Sequence, residues 1–254
     1  MKRIVTSAIF FLLLGCCDLQ AQHPGMKTIP AGTYKPLMKT VADEITVGSF
    51  LLDEKPVTNA QFKAFTDARP EWSPTRVKAL FADNQYLQHW DSTGTYVGET
   101  EQMPVVYVSW FAAKAYCSWL GKRLPTLDEW EYAAAGKPEP GQNISSTETL
   151  ILNWYSRMTG ENHVSGSIYR NEFGIWDMHG LVWEWVYDFN RVVSNDDSRN
   201  SEEIPSGLFC GSASLNSAGA SDYASFIRYA FRGSITGNYT MHRLGFRCAQ
   251  SLQQ

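Results

Sequence analysis

Beyond Cys17 this 254-residue chain has no apolar run of the roughly 20 residues that a bilayer-spanning helix needs. Charge is sparse at 19% of residues, the 22 Lys and Arg are scattered, and the net charge is −4. With no basic cluster to hold a phosphate backbone, nucleic acid is not an expected partner. A Gly-rich phosphate loop, a Ser/His/Asp signature and a paired-Cys redox motif are all missing. No repeat of about 20–50 residues is visible, which excludes a solenoid or propeller. The five histidines, His23, His89, His163, His179 and His242, lack the paired spacing of a zinc or non-haem iron site, so each reads as a surface or hydrogen-bonded residue. Cysteine is scarce: Cys16 and Cys17 lie near the start, and Cys117, Cys210 and Cys248 follow.

What is present is aromatic and glycine-rich. Nine Trp and nineteen Gly, with 13% aromatics, suit a loop-rich globule with a packed core. Most of the tryptophans sit at helix or strand spacing, which favours packing over a sugar-stacking role. The N-terminus follows other rules: Lys2 and Arg3, an apolar run from Ile4 to Cys17, then a polar stretch to Gln22. This is the pattern of a secretory signal. Leu13-Leu14-Gly15-Cys16 resembles a lipobox, which would make Cys16 the lipidated mature N-terminus and attach the protein to a membrane. Leu19-Gln20-Ala21 offers ordinary cleavage after Ala21. The expected organisation is therefore a signal over 1–21, or one ending before Cys16, and a single domain over 23–254. The expected location is outside the cytoplasm: periplasm or outer membrane as a lipoprotein, or secreted. Disulfides persist there.

Three segments carry helix-start chemistry. Thr58 with Gln61 and Thr126 with Glu129 form the capping-box pattern, in which hydroxyl and N3 side chain satisfy each other's backbone donors. Ser109 caps a further run through Ala112, Ala115, Tyr116 and Trp119, and Gly121 stands where a left-handed residue would end it. The third helix should stop at Gly136. Strands are expected over Glu44–Leu52, Pro104–Val108 and Leu181–Tyr187, with surface loops over 136–147 and 191–207.

Read in order, several blocks resemble the formylglycine-generating enzyme, or sulfatase-modifying factor, family. They begin with Met26-Lys27-Thr28-Ile29-Pro30-Ala31-Gly32, Asp53 to Asn59 with Phe62, and Met103-Pro104-Val105 with Val108-Ser109-Trp110. Ala115-Tyr116-Cys117, Lys122 to Thr126 and Glu129 to Tyr132 follow, then Gly180 with Trp183-Glu184-Trp185, and finally Leu244-Gly245-Phe246-Arg247-Cys248. The resemblance implies an α+β fold: one loop-rich domain of the formylglycine-generating-enzyme type, related to C-type lectin folds. The segments Phe209-Cys210-Gly211, Asp222-Tyr223-Ala224, Arg228 to Arg232 and Asn238-Tyr239-Thr240 look like a branch named as accessory to bacterial nitrite reduction.

Family enzymes that oxidise a client cysteine bind copper through two cysteines ahead of the Gly-Phe-Arg-Cys block, and thiolates suit soft copper(I). The corresponding positions fall at about Gly219 and Ala224, and no cysteine lies between Gly211 and Arg247. Copper and the cysteine oxidase activity are therefore not expected. The resemblance pairs Cys117 with Cys248 in a disulfide. A second family disulfide maps to Ala134 and Tyr229, where both cysteines are absent. Cys210 is left over, either a small buried thiol or a reactive one. The resemblance also implies a structural calcium held by Asp177, Glu184 and the carbonyls of Gly180 and Val182, an oxygen set that a hard cation takes. An ordinary polar loop is the alternative there, and a second calcium site near Asn153 lacks an obvious partner carboxylate.

Three functions follow. The first is an exported accessory or maturation factor with a protein or peptide client in the cell envelope. An oxidoreductase of different chemistry would use Cys210, Arg228, Tyr229 and Arg232. A lectin-like ligand-binding lipoprotein is the third.

Overall fold

The computed structural model describes residues 25–36, 44–91, 93–94, 96, 101–142, 144, 147–156, 163–190 and 231–252. Hydroxyl caps start three helices where the sequence places them. In α1 (Asn59–Ala68) and α3 (Leu127–Ala134) both halves of the capping box are made, by Thr58 with Gln61 and by Thr126 with Glu129. Ser109 accepts from the Ala112 N–H at the start of α2 (Trp110–Trp119), and Gly121, with φ of 70°, follows its end. Asp128 and Glu129 lie at the positive end of α3. Each helix buries one stripe: Phe62 and Phe65 in α1, Ala112, Ala113, Tyr116 and Cys117 in α2, Trp130, Ala133 and Ala134 in α3.

The strands are short. An antiparallel sheet has the order β1 (Met26–Ile29), β4 (Phe50–Asp53), β7 (Ala249–Ser251). A second antiparallel pair joins β2 (Gly32–Tyr34) to β3 (Ile45–Val47), and β5 (Trp183–Glu184) runs parallel to β6 (Leu244–Gly245). The expected strand over 44–52 is thus two strands in different sheets, broken at Gly48 and Ser49. Only Trp183 and Glu184 pair within 181–187. The stretch 104–108 is not a strand: Pro104 makes one bridge to Thr58, and Tyr107 turns to φ of 54°. A fourth helix, α4 (Thr147–Ser156), follows the polar loop.

Two apolar clusters fill the interior. One gathers around α1 and α2, with Phe62 stacked on Tyr116 at 5.6 Å and edge-on to Phe246 at 5.9 Å. The other lies between the sheets and α3, around Phe50, Leu52, Trp130, Tyr169 and Ile175. The segment Leu244–Ala249 belongs to both, and all six residues are buried. Within it, Cys248 forms a disulfide with Cys117, with Cα atoms 5.6 Å apart. Among the described residues no helix is long and apolar enough to cross a membrane.

Candidate functional site

Around that buried segment the chain assembles an ionic centre. Arg247 and Glu184 are both fully buried and pair through two parallel bonds of 2.8 Å, from Nε and Nη2. The rest of the guanidinium fork donates to the carbonyls of Trp176 at 2.9 Å and Asp53 at 3.2 Å. Trp130 Nε1 donates to Glu184 at 2.7 Å. Burial pushes the Arg247 pKa down, but Glu184, with Asp177 and Asp53, outweighs it and holds the pKa above its ordinary value. Beside the pair, Asp53 bonds Lys122 at 2.6 Å and accepts the Cys248 N–H at 2.9 Å. Burial nonetheless raises its pKa, with Lys122 the main opposing influence.

Two of the four groups expected to hold calcium, the carboxylates of Asp177 and Glu184, have protein partners in this arrangement. Asp177 accepts the backbone N–H groups of Gly166, Ile168 and Tyr169. Both oxygens of Glu184 are bound to Arg247. A carboxylate offers about four lone-pair directions, and three are used on each residue by protein donors. A divalent ion on Glu184 would also share that carboxylate with a buried guanidinium. Calcium held by Asp177, Gly180, Val182 and Glu184 would therefore share both carboxylates with these donors, and in this arrangement the cation on Glu184 is Arg247. No cluster of three or more His, Cys, Asp or Glu suited to a metal occurs among the described residues.

Against the Gly180–Val182 turn opens a cleft of about 680 Å³. Its walls come from the start of α1 (Asn59), the loops bearing His89 and Tyr107, α4 (Leu150, Asn153, Trp154), His163, the Gly180–Val182 turn, and His242 with Arg243. Three histidines that look unrelated in sequence thus share one cavity. The buried Asn59 Oδ1 lies 3.0 Å from His89 Nε2 and accepts Trp90 Nε1 at 3.1 Å. The Tyr107 ring lies against both histidines, 5.8 Å from His89 and 6.0 Å from His242. Burial, and then His242, push the His89 pKa down to about 4. Burial, and then Arg243, lower that of His242. His89 Nδ1 is buried without a hydrogen-bond partner.

The backbone around the cleft is held in sparsely populated conformations. Leu87, Tyr107 and Arg243 all have positive φ, at 51°, 54° and 69°. Such strain persists only where surrounding bonds impose it. Here Leu87 N–H donates to Tyr107 O, Tyr107 N–H to Met241 O, and Trp183 N–H to Arg243 O at 2.7 Å. Positive φ at non-glycine residues leaves no mark in the sequence, which is why spacing alone did not point to this cavity.

Of the other candidates, Arg232 lines a smaller cavity of about 70 Å³ beneath Trp183, beside Phe231, whose ring stacks on Trp183 at 4.6 Å. Cys210, Arg228, Tyr229 and Cys16 lie outside the described residues. Of the nine tryptophans only Trp119 is exposed, at 37%, in keeping with a packing role.

Residues 17–252 match the model of the sulfatase-modifying factor enzyme 1-like domain. The chain belongs to this sulfatase-modifying factor family. A relative from Streptomyces coelicolor named formylglycine-generating enzyme is 32% identical, over 83% of this chain and 81% of its own. One from Mus musculus named inactive C-alpha-formylglycine-generating enzyme 2 is 27% identical, over 99% of this chain and 94% of its own. Solved structures share the sulfatase-modifying factor fold at lower identity. Treponema denticola variable protein 1 has a TM-score of 0.54 at 19% identity, covering 89% of this chain and 95% of its own. PvdO from Pseudomonas aeruginosa has 0.52 at 21%, covering 89% and 94%. The family thus includes relatives named as enzymes and relatives named as inactive, so the site must decide between them.

Proposed function

We propose that this chain is an exported accessory or maturation factor that keeps a client-binding cleft on the sulfatase-modifying factor scaffold without copper-dependent cysteine oxidation. The observation that carries this reading is the absence of any cysteine from Gly211 to Arg247. A soft copper(I) ion has no thiolate pair to bind there. The cleft against the Gly180–Val182 turn supports the retained half of the function. At about 680 Å³ it falls within the range of preformed ligand sites, with an apolar floor of Leu150, Leu181 and Val182 and polar groups along its sides. A short segment of an envelope protein or peptide client is the occupant that we assign to it.

The test is chemical. Purified protein is incubated with copper, oxygen and a sulfatase-type peptide, and the peptide is examined by mass spectrometry. No aldehyde at the client cysteine is expected; turnover to formylglycine would overturn the proposal.

A further inference from the structure

Resting on the client-binding reading, we infer that the cleft selects a peptide segment carrying a carboxylate, which Arg243 receives. Among the described lining residues there is no Asp or Glu, while Arg243, His89, His163 and His242 all face the cavity. The buried carboxylates nearby are committed elsewhere: Glu184 to Arg247 and Trp130, Asp177 to three backbone N–H groups. Arg243 is half-buried, and no described carboxylate lies within ion-pair distance of it. A guanidinium kept partly out of water without an anion is a ready partner for one, because its planar fork matches a carboxylate with two parallel bonds.

Position reinforces the assignment. Arg243 is held at φ of 69°, its carbonyl tied to Trp183 N–H at the start of β5. Its neighbour His242 presents an imidazole to the same space, with the Tyr107 ring between it and His89. Neutral imidazole and Asn groups orient a peptide by hydrogen bonds, while the apolar floor takes its side chains. A cationic segment finds no counter-charge among the described lining residues and meets Arg243 instead, so the cleft discriminates against it.

Binding of fluorescein-labelled hexapeptides, followed by fluorescence polarisation at pH 7.5, tests the inference. The probes are a Leu-rich peptide with a central Glu and an amidated end, its Gln and Lys analogues, and the Gln analogue with a free C-terminal carboxylate. Tighter binding of the Glu peptide places the carboxylate on a side chain; tighter binding of the free-acid peptide places it at a chain end. Either should exceed the amidated Gln peptide by about tenfold or more, the worth of a charge-assisted hydrogen bond. Arg243→Gln should bring that ratio close to one, and Arg243→Lys should retain part of it. Circular dichroism and melting confirm that the variants are folded. Equal binding of Glu, Gln and Lys peptides, or discrimination that survives in Arg243→Gln, would overturn the inference and leave the client-binding reading standing. Failure of every peptide to bind would overturn both.

Discussion

The Arg247–Glu184 pair allows a sharp test of how the centre of the domain is held. Both side chains are fully buried, and Arg247 makes two bonds to Glu184 and two more to the carbonyls of Trp176 and Asp53. Removing one member leaves an uncompensated charge away from water, which costs about 3–5 kcal/mol. In a domain of this size that corresponds to roughly 6–20 °C in melting temperature. Arg247→Met and Glu184→Gln should each show a loss of this order by urea denaturation and thermal melting. Arg247→Lys should also be destabilised, because one ammonium cannot reproduce the fork. The double variant Arg247→Met, Glu184→Leu removes both charges, so its loss should fall short of the sum of the singles by about 2 kcal/mol or more. Additivity within about 0.5 kcal/mol would refute the coupling. The same melts address calcium. An ion a hundredfold above its dissociation constant would add about 2.7 kcal/mol, but the wild-type melt should not respond to chelator or to added calcium. A reversible calcium-dependent rise would show that the folded protein binds the ion despite the Arg247–Glu184 pair.

Other outcomes can be measured alongside it. Replacing Cys117 and Cys248 together by Ala opens a loop of 131 residues and should cost about 5 kcal/mol in the chain-entropy view; a denaturation loss below about 2 kcal/mol would contradict it. The pKa of His89 is depressed from 6.5 to about 4, so its contribution is full above pH 6.5 and is lost as pH falls toward 4. That loss amounts to about 3 kcal/mol. His89→Gln should flatten the stability curve in this window, though not fully, since His242 shifts in the same direction; superimposable curves would count against it. A Cβ on Gly245 would lie 2.6 Å from the Val105 carbonyl oxygen, so Gly245→Ala should lower stability by about 2 kcal/mol or more, and an unchanged melt would show that this packing is looser than described.

Local chemistry made some of this legible in the sequence and long-range closure hid the rest. Thr58, Ser109 and Thr126 announce their helices because a cap is satisfied within four residues. The family blocks carried the α+β fold and the Cys117–Cys248 pair. The division of 44–52 between two sheets was not legible, since β3 and β4 are chosen by partners at Gly32–Tyr34 and Ala249–Ser251. The Asp177–Glu184 block reads as a calcium site in the sequence, and the guanidinium that sits on Glu184 leaves no local sign there. Arg247 reaches it from 63 residues away in the chain. The cleft was equally hidden: Asn59, His89, Tyr107 and Arg243 share no spacing rule, and the turns that bring them together rest on positive φ at residues that give no sign of it.

The burial of Leu244–Ala249 has a consequence in time. β4 is made early, yet one of its edges stays unpaired until Ala249 arrives opposite Leu52. At about 5–20 residues per second, synthesis of the intervening chain takes on the order of 10–40 s. Throughout that interval Phe50, Leu51 and Leu52 lie on an open strand edge, the kind of surface on which another chain can add. Until that segment is made, Asp53 also lacks its Cys248 N–H and Glu184 lacks Arg247. The domain therefore cannot complete its centre before this segment is made, and a chain stopped short of Leu244 would be an aggregation hazard with α1 to α4 already encoded.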